Sequence, residues 1–104
     1  MTETRNVAAA GRMASGSTPI GQLQWRQRAR IRGRVQSMRV QPWADVATLE
    51  CLVLDESGGV LVVFLGRGRI PGIRLGCLLE AEGMVGESRG YLAILNPEFE
   101  LLPG

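Results

Sequence analysis

The stretch QWRQRARIRGRVQSMRV, residues 24–40, decides how the chain is read. Arginine occupies positions 26, 28, 30, 32 and 34 and returns at 39, with no acidic residue in between. A period of two belongs to a β-strand, whose side chains point to opposite faces in turn. It sets Ile31, Gly33 and Val35 on one side and Arg30, Arg32 and Arg34 on the other. A helix would scatter these arginines around its circumference, and Gly33 would weaken it. Gly33 in mid-strand predicts a bulge or a sharp bend. The open question is whether the arginines grip a polyanion or only keep one face of a sheet wet.

Outward from that strand the chain divides by charge. Residues 1–42 carry eight Arg against one Glu, and residues 43–104 carry four Arg against nine acids. The net +2 of the 104 residues therefore hides a basic first third joined to an acidic remainder. All twelve basic residues are Arg, a bias that carries little functional weight. The absence of His removes the commonest general base and the commonest metal ligand together. Cys51 and Cys77 cannot build a four-ligand zinc site and read as small buried hydrophobes in a reducing cytoplasm. No metal or cofactor is expected. The longest uncharged run, SGGVLVVFLG, falls short of a membrane helix, and no apolar leader suggests a signal peptide. A cytoplasmic protein with no membrane partner is expected.

Residues 1–17, small, polar and without period, read as a disordered tail, with one folded domain over 18–104. Beyond it, turn signals recur roughly every 8–12 residues, the rhythm of a small all-β barrel or sandwich. ATLECLVLD is a second strand, and ESGG a hairpin turn with Gly58 or Gly59 supplying positive φ. VLVVFLG is a third, central strand, and RGRIPGIRLG a connector holding a turn or one helical turn. CLLEAEGMVGES is a fourth strand with Gly83 inside it. YLAILNPEFELL is a fifth, kinked at Asn96-Pro97.

Five strands, two bent by glycine, with a short connector between the third and fourth, are the anatomy of an OB-fold, a five-stranded Greek-key barrel. IRGRV, LVLDESGGVLVVFLG and RLGCLLEAEGMV resemble the nucleic-acid-binding OB family also seen in anticodon-binding domains. SRGYLAILNPEFELL is similar to the end of the OB-type wedge domain of the RecG helicase. The span 18–104 as a whole resembles short stand-alone actinobacterial OB-fold proteins generally described as nucleic-acid-binding. No helicase motor accompanies it, since a Walker A loop needs a Lys that this chain lacks. The resemblance bears on fold far more than on ligand.

It implies binding of nucleic acid, DNA or RNA, most naturally single-stranded and with low sequence specificity, through arginine–phosphate and aromatic–base contacts. The candidate phosphate contacts are Arg28, Arg30, Arg32, Arg39, Arg67, Arg69 and Arg89. The candidate stacking residues are Trp43, Phe64 and Tyr91. Arg28, before the barrel proper, and Arg39, near the first loop, are the harder to neutralise and the better phosphate candidates, while several of the others carry a plainer reading. Arg30, Arg32 and Arg34 can pair with Glu50, Glu80 and Glu82 across the ladder, each pair contributing about 0.2–1 kcal/mol. The GRGR connector can be merely solvated, and Phe64 can face the core, as Phe99 is expected to. The loops QPWAD and ESRG are short and Glu87 repels phosphate, so a shallow cleft of modest affinity is expected. The alternative is a protein–protein interaction module that receives a partner on the same face or at a gap between strands three and five. Neither GxSxG, HExxH nor a phosphate loop occurs, so no enzymatic activity is expected.

Overall fold

The computed structural model describes residues 16–43 and 45–104. The expected tail therefore falls almost wholly outside the described residues, as does the side chain of Trp43. Six strands follow one another: β1 (Arg28–Trp43), β2 (Val46–Leu54), β3 (Gly59–Leu65), β4 (Leu78–Ser88), β5 (Tyr91–Leu95) and β6 (Glu98–Leu102). A three-residue 3-10 turn at Ile20–Gln22 precedes them, and no α-helix occurs among the described residues. The chain is all-β, and no described helix could cross a membrane.

The alternation in β1 behaves as its period demands. Ala29, Ile31 and Val35 are buried while Arg28, Arg32 and Arg34 are exposed. Residues 28–34 pair antiparallel with β4, and residues 34–43 pair antiparallel with β2. The handover is made by a bulge, because the β1–β2 register slips between Val35 and Ser37, leaving Gln36 as the extra residue. The bend thus sits three residues beyond the glycine that suggested it. Gly33 has a different duty: a Cβ there would overlap the Leu54 carbonyl oxygen and the Val53 side chain.

β3 pairs antiparallel with β2 and parallel with β5, through Leu61, Val62 and Val63 against Ala93, Ile94 and Leu95. β5 pairs antiparallel with β4, which closes a ring of five strands in the order β1–β2–β3–β5–β4. The expected fifth strand is two. Asn96 takes a positive φ of 48° and Pro97 has no N–H to continue the ladder, so β6 resumes on β4 with a shifted register. Asn96 is fastened to the end of β3. Its N–H donates to the Val63 carbonyl (2.7 Å) and its Oδ1 accepts from the Leu65 N–H (2.8 Å).

Inside the ring lie Ile31, Val35, Leu49, Cys51, Val53, Val62, Phe64, Leu79 and Ile94. Ile70 and Ile73 join them from the 66–77 connector, which forms turns and no helical turn. Ile20 and Leu23 join from the N-terminal 3-10 turn and its flank. Burial first, then the neighbouring Cys77, pushes the Cys51 thiol up to about 11, so it stays protonated.

The β2–β3 turn is held by a side chain and not by a glycine in the left-handed region, since neither Gly58 nor Gly59 has positive φ. Asp55 Oδ1 accepts from the Ser57 hydroxyl (2.6 Å), the Ser57 N–H (2.7 Å) and the Gly58 N–H (3.0 Å). Its Oδ2 accepts from the Ile20 N–H at 2.9 Å, and the Gly21 N–H donates to Ser57 Oγ at 2.8 Å. One carboxylate therefore fastens the N-terminal lead-in to the ring. Desolvation raises its pKa, but these hydrogen bonds outweigh it and hold the group below the usual carboxylate range.

Two outcomes are expected. Gly33→Ala should lower stability by about 1–3 kcal/mol in urea denaturation, because backbone must move to admit the methyl. Asp55→Asn should cost about 1–3 kcal/mol at pH 7. Asp55 has a depressed folded pKa, so its contribution is whole above the unfolded value of about 3.9 and is lost as pH falls through the folded value. Stability curves of wild type and variant should accordingly converge in acid.

Candidate functional site

The closed ring lays β1 beside β4, and this determines what the arginine stripe can do. Arg30 stands opposite Glu82 in the ladder and Arg32 opposite Glu80. Arg30 donates to Glu82 Oε1 from Nη2 (2.8 Å) and Nε (3.2 Å), and Arg28 approaches Glu82 (3.3 Å) and Glu98 (3.8 Å). Arg32 reaches Glu80 at 3.4 Å. The hydrogen bond from Arg30 holds the Glu82 carboxyl below its ordinary range, and the same bond raises the Arg30 pKa. Beyond β4 the charges repeat, because Glu80 faces Glu100 and Glu82 faces Glu98 across β6. Like charges directly opposite are destabilising, and the arginine column offsets them. Arg34 departs from the expected pairing and donates to the Gly76 carbonyl at 3.0 Å. This face sets Arg28, Arg30 and Arg32 against four glutamates, and it offers a polyanion no net attraction.

The outer face of β2 and β3 carries a different arrangement. One rung runs Gln41–Thr48–Leu65 across β1, β2 and β3, and the next runs Arg39–Glu50–Val63–Leu95 into β5. All of these rung residues except Arg39 line an open cleft of about 410 Å³, and Arg39 lies instead with Arg69 along a separate pocket beside the connector. Val63, Leu65, Leu95 and Pro42 give it aliphatic walls. Gln41, Thr48, Glu50 and Arg89 give it polar groups, with Glu87 and Ser88 at the side.

Glu50 is only 7% exposed, in a region where an unpaired carboxylate would be costly. It pairs not with the arginine stripe but with Arg89, through Oε1, while Oε2 accepts a long bond of 3.3 Å from Gln41 Nε2. Arg89 arrives from the two-residue β4–β5 turn, where it and Gly90 both take positive φ (52° and 84°). Such turns favour Asn or Gly at the first position, so an arginine there is strained. Thr48 is 4% exposed, and its hydroxyl has no hydrogen-bond partner among the described residues.

The other expected site residues scatter. Phe64 is 3% exposed and packs edge-on against Phe99 at 5.2 Å, so it belongs to the core and offers no face to a ligand. Phe99 is half-buried against the same core. Tyr91 is 64% exposed at the start of β5, next to the Arg89 turn. Arg39 is exposed in the rung of Glu50. Arg67 and Arg69 are exposed in the connector, whose Gly68 packs against Ala47 and Val40. Among the described residues no acid lies within ion-pair reach of Arg39, Arg67 or Arg69.

Sequence reasoning missed Gln41, Thr48 and the cleft role of Glu50. The only signal was the polar–apolar alternation of Thr48-Leu49-Glu50-Cys51, which marks an outward face but not a covered one. No group of three or more His, Cys, Asp or Glu among the described residues could hold a metal. Compared with known families and curated proteins, the chain matches no family model and no curated sequence.

A double-mutant cycle tests the pair at the cleft. Arg89→Asn in the native background should cost about 1–3 kcal/mol, because it strands the Glu50 carboxylate. In a Glu50→Leu background the same change should stabilise by a few tenths to about 1 kcal/mol, since Asn suits the left-handed turn better. Equal effects in both backgrounds, read by urea denaturation, would show that the pair contributes nothing.

Proposed function

We propose that the five-stranded ring is an OB-fold barrel with Greek-key connections and that the protein is a non-catalytic module for single-stranded nucleic acid. The strand order β1–β2–β3–β5–β4, with a long bent β1 serving two neighbours and a parallel β3–β5 closure, supports the fold. The observation that carries the function is the position of the cleft. It lies on the β2–β3 face between the β1–β2 loop and the β4–β5 turn, the surface on which OB barrels take oligonucleotides.

The phosphate contacts in this reading are Arg39, Arg67 and Arg69, three arginines with no described acid within ion-pair reach, with Tyr91 as the exposed stacking surface. Arg28, Arg30 and Arg32 drop out of the ligand face because glutamates already hold them. A non-catalytic role fits the absence of His, the protonated, buried Cys51 and an Asp55 carboxylate fully occupied by hydrogen bonds. Both cysteines are free, in keeping with a cytoplasmic setting.

The aliphatic walls of the cleft favour a second reading, a protein-interaction module using the same surface. The route through a gap between β3 and β5 is not part of it, because a three-residue ladder occupies that position.

Fluorescence anisotropy of labelled DNA and RNA single strands separates the readings. With about three phosphate contacts, affinity should fall roughly ten- to twentyfold between about 50 and 200 mM salt. An Arg39→Ala/Arg67→Ala/Arg69→Ala variant should bind more weakly and lose most of that salt dependence. No binding at tens of micromolar protein in low salt would remove the nucleic-acid reading and leave the interaction module.

A further inference from the structure

The cleft holds more polar chemistry than the fold requires. An aliphatic residue at position 50 would continue the wall made by Val63 and Leu95, and a buried ion pair is seldom more stable than such packing. The nearly buried Thr48 hydroxyl lacks any described partner, and each such group in a native structure calls for an explanation. Gln41 holds Glu50 Oε2 only at 3.3 Å, a bond readily exchanged for a better one. Arg89 sits in a strained turn position that places its guanidinium on Glu50. These four side chains converge in one open cleft with flat aliphatic walls.

We infer that this cleft reads a guanine base within a bound single strand, with Glu50 as the residue that sets the preference; the inference rests on the nucleic-acid reading of the same surface. The argument is one of donor and acceptor pattern. A carboxylate only accepts, and it is satisfied best by two parallel N–H groups. Among the four bases, guanine alone presents two adjacent donors, N1–H and the 2-amino group, on its pairing edge. Adenine and cytosine place an acceptor beside their single amine, and uracil or thymine flanks its one N–H with two carbonyls. Each of these sets a lone pair against the carboxylate. The adjoining O6 of guanine is an acceptor, for which Thr48, Gln41 and Arg89 are the nearby donors. Leu65, Leu95 and Pro42 supply exposed apolar surface for the ring faces. Neighbouring nucleotides pass toward Arg39 and Arg69, which share the adjoining pocket, and toward Arg67, two residues beyond the cleft residue Leu65 in sequence.

The test uses the full chain and oligothymidine strands carrying one central substitution, followed by anisotropy. A single guanine should tighten binding about tenfold over adenine or cytosine at that position. Inosine, which lacks the 2-amino group, should lose most of that gain, a measurement on wild-type protein that no folding defect can confuse. Glu50→Gln, checked for its fold by circular dichroism, should bind guanine- and adenine-bearing strands alike. Equal binding of all four bases by wild type, or of inosine and guanine, would overturn the assignment to Glu50 while leaving a sequence-tolerant binder. Absence of binding to any strand would overturn the nucleic-acid reading itself. A free guanosine monophosphate arm completes the test. It should bind far more weakly than the guanine-bearing strand, and equal affinity would overturn the strand context.

Discussion

A sheet of so few residues can hide its hydrogen-bonding edges only by closing on itself, and closure here depends on β1 having two neighbours. Its first half lies on β4 and its second half on β2, with the exchange made at Arg34 and the Gln36 bulge. Near the exchange the backbone of Gly33 must come close to the Leu54 carbonyl, which leaves no room for a side chain. Opposite this bend, the short parallel ladder between β3 and β5 completes the circuit. The connector isoleucines Ile70 and Ile73 and the N-terminal Ile20 and Leu23 then complete the core from outside the strands.

Closure also decides the fate of the charges. The chain is strongly polarised along its length, and the ring folds that polarity flat by laying the basic half of β1 against the acidic outer positions of β4 and β6. Arg28, Arg30 and Arg32 offset a block of glutamates that would otherwise repel one another across adjacent strands. The stripe that looks most like a polyanion grip is mainly an internal counterion layer on a wet face. Arg39 and the connector arginines, outside the alternation, have no described acid within ion-pair reach.

On the outer face of β2 and β3 the energetic logic reverses. The core is filled without polar compromise, yet in the cleft a paired Glu50 and Arg89 sit among aliphatic walls, Gln41 reaches Glu50 only through a long bond, and the Thr48 hydroxyl has no partner among the described residues. Asp55 is the instructive contrast. It too is a carboxylate of the β2 region, just past the strand's end, but four hydrogen bonds from the turn and the N-terminal lead-in consume it, and its role is structural.

The period of two in residues 28–35 was enough to establish a strand with one wet face, and the spacing of turn residues was enough for an all-β chain. Those features depend on local geometry, which neighbours in sequence impose. The break at Asn96-Pro97 was legible for the same reason, since both residues act on their own backbone. The position of the bulge at Gln36, the use of Asp55 instead of a glycine for the β2–β3 turn, and the burial of Phe64 were not legible. Each depends on which strand lies alongside, and VLVVFL, apolar on both sides, carries no alternation to say which face is inward. The same holds for the cleft. The alternation of Thr48-Leu49-Glu50-Cys51 sets Thr48 and Glu50 on one face, but only the ring brings Arg89 across from the β4–β5 turn to meet Glu50 and leaves the Thr48 hydroxyl with no partner among the described residues. Local pattern determined the strands and their faces; pairing between distant segments decided which charges cancel and which stay unpaired.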